Sequence, residues 1–85
     1  MKITHKNSMN GAIKGEHNDY SFSAKVYEES SKHGINSGRV SKFDLIQDGE
    51  IVARYDRDWD ILPTDTNYEA TQEIVGYLDS MKKVW

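Results

Sequence analysis

An aspartate followed by a glycine, Asp48-Gly49, stands between two runs of alternating apolar and polar residues, VSKFDLIQ and EIVARYDRDWDI. Both residues tolerate positive φ, which a type I′ turn needs at its two central positions, and the twist of that turn matches the strands it joins. The chain is expected to reverse here as a β-hairpin. A two-residue turn then sets Ile46 opposite Ile51, Asp44 opposite Ala53, Lys42 opposite Tyr55 and Val40 opposite Arg57, with Trp59 and Ile61 further along the same face. The other face pairs Leu45 with Val52, Phe43 with Arg54, Ser41 with Asp56 and Arg39 with Asp58. The first face carries more apolar residues and is expected against the core. Phe43, Leu45 and Val52 are left as a second, outward apolar patch.

Upstream, DYSFSAKVYEE alternates with Tyr20, Phe22, Ala24 and Val26 on one side, the period of a half-buried strand, and GAIKG is read as its hairpin partner across EHND. Downstream of Pro63 the period changes. Ala70, Ile74, Tyr77, Leu78, Met81 and Trp85 recur at helical steps, and Thr66 followed by Glu69 has the spacing of a capping box. Early Glu69 and Glu73 and late Lys82 and Lys83 suit the helix dipole. Gly76 is the misfit, and close approach of the helix backbone to the sheet would account for it. The expected fold is α+β, one small domain over residues 1–85: an antiparallel sheet of about four strands with one C-terminal helix packed on one face (β-β-β-β-α). The first ten residues are expected either as an edge strand or as disordered chain.

Charge is unevenly spread. Residues 1–43 hold an excess of Lys and Arg, whereas residues 44–79 hold only Arg54 and Arg57 against a row of carboxylates. A basic footprint is what phosphate-backbone binding requires, so the second half is not expected to bind nucleic acid directly. With no cysteine in the chain, disulfides, thiolate zinc sites and thiol nucleophiles are excluded, and a cytoplasmic location is expected. No apolar run approaches the length of a signal sequence or a membrane span, so a soluble chain with no membrane partner is expected.

Within YDRDWDILP, Asp56, Asp58 and Asp60 fall at alternate positions, which on one strand would share a face and could meet a hard cation. A calcium loop would need glycine where Ile61 stands and glutamate where Asn67 stands, so no metal is expected. Paired carboxylates as general acid and base need a pocket and a raised pKa, which a small sheet with one helix offers little room for. His5, His17 and His33 are scattered, and no serine occupies a nucleophile elbow. No catalytic residue and no cofactor is therefore expected. GINSGR has two glycines and an arginine and is read as a structural turn, with an anion-binding nest as the alternative. Trp59 is expected under the helix, and Trp85 is expected to dock.

HGINSGRVSKFDL, YDRDWDILP and the short helix after them resemble a group of small uncharacterised proteins of Gram-positive bacteria and their phages, which share a G-I-N-x-G-R loop and a Y-D-R-x-W-D-x-x-P strand ending. The resemblance covers roughly residues 18–80. It implies a stand-alone intracellular module carried by a mobile element, and brings no activity or cofactor.

The expected function is that of a non-enzymatic protein-binding module, a phage-type antagonist of a host defence protein that handles nucleic acid, in the manner of an anti-CRISPR. Ordered carboxylates on a rigid sheet can occupy a basic groove meant for phosphates. Asp44, Asp56, Asp58, Asp60, Asp65 and Glu69 would carry the charge, and Phe43, Leu45 and Val52 would form a desolvated anchor. The alternative is a homodimeric structural protein, paired through that apolar patch or through an edge strand, with carboxylates serving solubility alone.

Overall fold

A computed structural model describes residues 1–7, 10–27, 29–30 and 32–81. Trp85, Lys82 and Lys83 lie outside the described residues. Six strands, β1 (Lys2–Asn7), β2 (Ala12–His17), β3 (Tyr20–Val26), β4 (Val40–Gln47), β5 (Glu50–Asp56) and β6 (Trp59–Ile61), form one antiparallel sheet whose spatial order is the chain order. A 3₁₀ turn (Ile35–Ser37) lies in the β3–β4 connection, and helix α1 (Tyr68–Ser80) packs across one face against β3 and β4.

The sheet has six strands where about four were expected, for two local reasons. Lys2–Asn7 is almost wholly exposed, so its pairing with β2 leaves no apolar alternation to read. The run from Glu50 to Ile61 is broken because Arg57 takes a left-handed φ of 64°. The Asp56 amide then donates to the Asp58 carbonyl at 2.9 Å, and the chain turns back as β6. Two-residue turns close β2 to β3 at Asn18-Asp19 and β4 to β5 at Asp48-Gly49, with Asn18, Asp48 and Gly49 all at positive φ.

The expected β4–β5 register holds only beside the turn. Ile46 faces Ile51, after which a bulge at Val52 shifts the ladder so that Leu45 faces Ala53, Asp44 faces Arg54, Phe43 faces Tyr55 and Lys42 faces Asp56. The shift has an energetic reason. Phe43 and Leu45 lie inside through their pairing with Ala24 and Phe22 of β3; the bulge turns Ala53 and Tyr55 to that same side, a large side chain contributing roughly 2 kcal/mol by burial. Opposite charges become neighbours on the outer face, where Arg54 meets Asp44 at 3.5 Å. Further bulges lie at Thr4, Ser41 and Asp60. Bulges increase local twist and bend the strand that carries them.

The core joins Ile13, Phe22, Val26, Val40, Phe43, Leu45 and Tyr55 of the sheet to Ile35 of the loop and Ile74, Val75 and Leu78 of the helix. Phe43 is 1% exposed and Leu45 0%. Both were expected outside; their β3 partners Ala24 and Phe22 place them inside, and the bulge brings Ala53 and Tyr55 to the same side. Ile51 and Ile61, expected inside, are exposed at 39% and 41%. Tyr77 of the anticipated helix stripe is exposed too, its place taken by Thr71 and Val75.

The helix begins one residue later than the expected cap. Asn67 is the N-cap, without a side-chain capping bond. Its Oδ1 instead accepts from the Thr64 amide at 2.9 Å, so the Thr66–Glu69 box is replaced by a tight turn behind the helix. Gly76 is exposed, with open space where a Cβ would stand, and no close approach explains it. Gly15 is the glycine that the packing requires: a Cβ there would strike the Lys2 carbonyl and the Phe22 ring.

Candidate functional site

The two motifs that stand out in the sequence are absorbed by architecture. In GINSGR, Arg39 is spent on the end of the helix. Its backbone amide donates to Asp79 Oδ1 at 2.6 Å, its Nη1 donates to the carbonyls of Asp79 and Met81, and its Nε donates to the Tyr27 carbonyl at 2.7 Å. Helix carbonyls in the last turn lack intrahelical partners, and one guanidinium satisfies two of them. A side chain on Gly38 would collide with the Asp79 carboxylate, so glycine admits the acid that holds the loop. The loop is thus a structural turn clamped to α1, and Arg39 faces Asp79, not Asp58.

In YDRDWD, the Tyr55 hydroxyl donates to the His33 carbonyl at 2.8 Å, and its ring meets Trp59 edge to face at 5.0 Å. Burial, and secondarily the charge of Asp58, push the Tyr55 phenol up from the ordinary tyrosine value. Trp59, expected under the helix, is partly buried against the core, with Tyr55 as its ring partner. These residues join the β3–β4 connection to the sheet.

The carboxylates are dispersed by the turn at Arg57. Asp56 ends β5 beside Lys42, Asp58 lies in the turn with its Oδ1 accepting from the Trp59 amide at 2.8 Å, and Asp60 is the bulged residue of β6. They do not line one strand face. Asp44 is half-buried beside Arg54, and Phe43 and Leu45 belong to the core, so the outward anchor expected of those two is absent. Val52 is half-buried against the same core. Among the described residues no three His, Asp or Glu side chains assemble as a metal group. His17 approaches Glu73 at 3.2 Å, linking β2 to the helix.

What remains is the segment that leaves the sheet and enters α1. Asp58, Asp60, Asp65 and Glu69 are exposed along it, interleaved with Ile61 at 41% exposure, Leu62 at 68% and Tyr68 at 56%. The three apolar residues were missed because Ile61 was assigned to the core face and the helix stripe was counted from Ala70. The proximity of Ile-Leu-Pro to so many carboxylates was the available signal. β6 ends the sheet, so among the described residues its outer edge has no strand partner.

The family model described as Domain of unknown function (DUF7678) matches residues 7–78, and the chain belongs to that family. No curated protein and no solved structure matches the chain. Among the described residues no helix is long and apolar enough to cross a membrane.

Proposed function

We propose that this member of the DUF7678 family is a non-enzymatic protein-binding module that docks through the β6 edge and the segment leading into α1. The observation that carries the reading is the interleaving of exposed Ile61, Leu62 and Tyr68 with exposed Asp58, Asp60, Asp65 and Glu69. Apolar side chains at the centre of a contact supply its desolvation energy, and a charged rim supplies orientation and partner choice. The partner that suits this rim is a protein with a basic groove of the kind built for nucleic-acid phosphates. A phage-encoded antagonist of a host defence protein is the context in which such mimicry is useful, and it accords with the G-I-N-x-G-R and Y-D-R-x-W-D-x-x-P resemblance.

Capture from a bacterial lysate followed by mass spectrometry tests the proposal. The parent chain should retain a nucleic-acid-handling protein in a salt-sensitive manner, and Asp58→Lys with Asp60→Lys should lose it, as should Leu62→Ser alone. Retention that neither change nor added salt alters would refute the acidic edge as the contact. A second reading is supported by the two open edges, β1 and β6: a homodimer paired strand to strand. With Phe43 and Leu45 buried, this reading rests on the edges and not on an outward patch. Sedimentation over a range of concentrations separates the readings, since a persistent monomer removes the dimer.

A further inference from the structure

At the end of the sheet opposite the Asp48-Gly49 turn, a cavity of about 320 Å³ is lined by Lys25, Tyr27, His33, Ser41, Lys42 and Arg57. We infer that this cavity binds a small phosphate monoester.

Lys25 and Lys42 are direct cross-strand partners in the β3–β4 ladder, and like charges in that relation destabilise a sheet. Among the described residues no carboxylate reaches Lys25, Lys42 or Arg57 at ion-pair distance. Asp56, on the far side of Lys42 in the sheet, does not line the cavity. Arg57 adds the third cation from a left-handed backbone conformation, which costs a non-glycine residue about 1 kcal/mol and which asparagine or glycine would adopt more cheaply. Three cationic side chains thus converge on one cavity, and a bound anion would offset the repulsion between them.

The walls are held in place independently of any ligand. The Arg57 amide donates to the Ser41 carbonyl at 3.3 Å, tying the β5–β6 turn to the bulge of β4. The Tyr55 hydroxyl fixes the His33 carbonyl, and the Tyr27 amide donates to the Arg39 carbonyl at 3.0 Å. Two ammonium groups and a guanidinium carried on this fixed backbone suit an anion with more than one charge and with oxygens facing several directions, the description of a phosphate monoester dianion. The volume is in the range of small-molecule sites and leaves room for the group that bears the phosphate. Tyr27, 45% exposed at the rim, offers a ring for that group to lie against. A nucleic-acid strand fits less well, because it needs a basic stripe, and here Asp56 and Asp58 flank Arg57 on either side.

Amide chemical-shift titrations at constant ionic strength test the inference, with inorganic phosphate, adenosine 5′-monophosphate, adenosine and an unphosphorylated single-stranded oligonucleotide as probes. Phosphate and the monophosphate should give saturable shifts centred on Ser41, Lys42 and Arg57, the monophosphate binding more tightly, while adenosine gives none. Lys42→Gln and Arg57→Asn, both compatible with the local fold, should each weaken binding about tenfold and leave amides in the helix unmoved. Shifts that chloride reproduces, or that survive in both variants, would overturn the site. Binding of the oligonucleotide as tight as that of the monophosphate would overturn the small-molecule assignment in favour of a strand. Neither result bears on the β6 edge, whose residues are left intact.

Discussion

Gly76 sits on the exposed side of α1, with nothing near the position a Cβ would take. Glycine in a helix interior is less favourable than alanine by about 1 kcal/mol, through backbone entropy in the unfolded chain and lost side-chain contact. Gly76→Ala should therefore stabilise the protein by up to ~1 kcal/mol, seen as a higher urea midpoint with an unchanged slope. A lower midpoint would mean that the surface at Gly76 is needed for something other than folding. Gly15 and Gly38 behave oppositely, because each admits a neighbouring group where a methyl would collide. The difference between these glycines is invisible in composition and is set by what packs over each one.

At the scale of elements, the attachment of α1 to the β3–β4 connection explains an otherwise awkward feature. Asp79 lies in the last turn of the helix, where the dipole disfavours a carboxylate, and no basic residue shares that turn. Arg39 resolves it, its backbone amide bonding the carboxylate and its guanidinium the carbonyls of Asp79 and Met81. Arg39→Met keeps much of the stem and removes the donors. We expect it to cost about 2 kcal/mol in denaturant unfolding, with the earliest loss of amide protection in the final turn of α1 and at Tyr27. Uniform loss of protection across the sheet would argue against a local clamp. The same region shows how far the residues could be read in advance. GINSGR was legible as a turn, since its glycines and asparagine announce one, but its partner was not, because Asp79 is distant in the chain and nothing local selects it.

For the whole molecule, Tyr55 couples global stability to alkaline pH. Burial and the Asp58 charge both favour the protonated phenol in the folded state, so its folded pKa lies above the unfolded value near 10. Below about pH 10 both states hold the proton and this contribution is fully present; as pH rises through the folded pKa, the unfolded chain having released its proton first, the contribution is lost. Tyr55→Phe should lower stability at neutral pH by about 1 kcal/mol through the lost bond to His33. The difference between parent and variant should then shrink as the medium is made alkaline. A difference that stays constant to high pH would show that the phenol titrates alike in both states.

Turns, the identity of most strands and the existence of the helix were determined by the sequence itself, because positive φ at Asp48-Gly49 and the periods of the flanking runs are properties of neighbouring residues. The buried side of β3 also follows from its own alternation, with Phe22, Ala24 and Val26 inside, whereas tertiary structure decided which side of β4 faces the core. One extra residue at Val52 lets Ala53 and Tyr55, expected inside and found there, share that interior with Phe43 and Leu45, which were expected outside. Tertiary structure also decided the candidate surfaces. Lys25, Lys42 and Arg57 come from three different segments, and the apparent stripe of Asp56, Asp58 and Asp60 was broken by a left-handed residue between them. Periodicity records local geometry, whereas register and convergence follow from the total apolar area that the whole chain can remove from water.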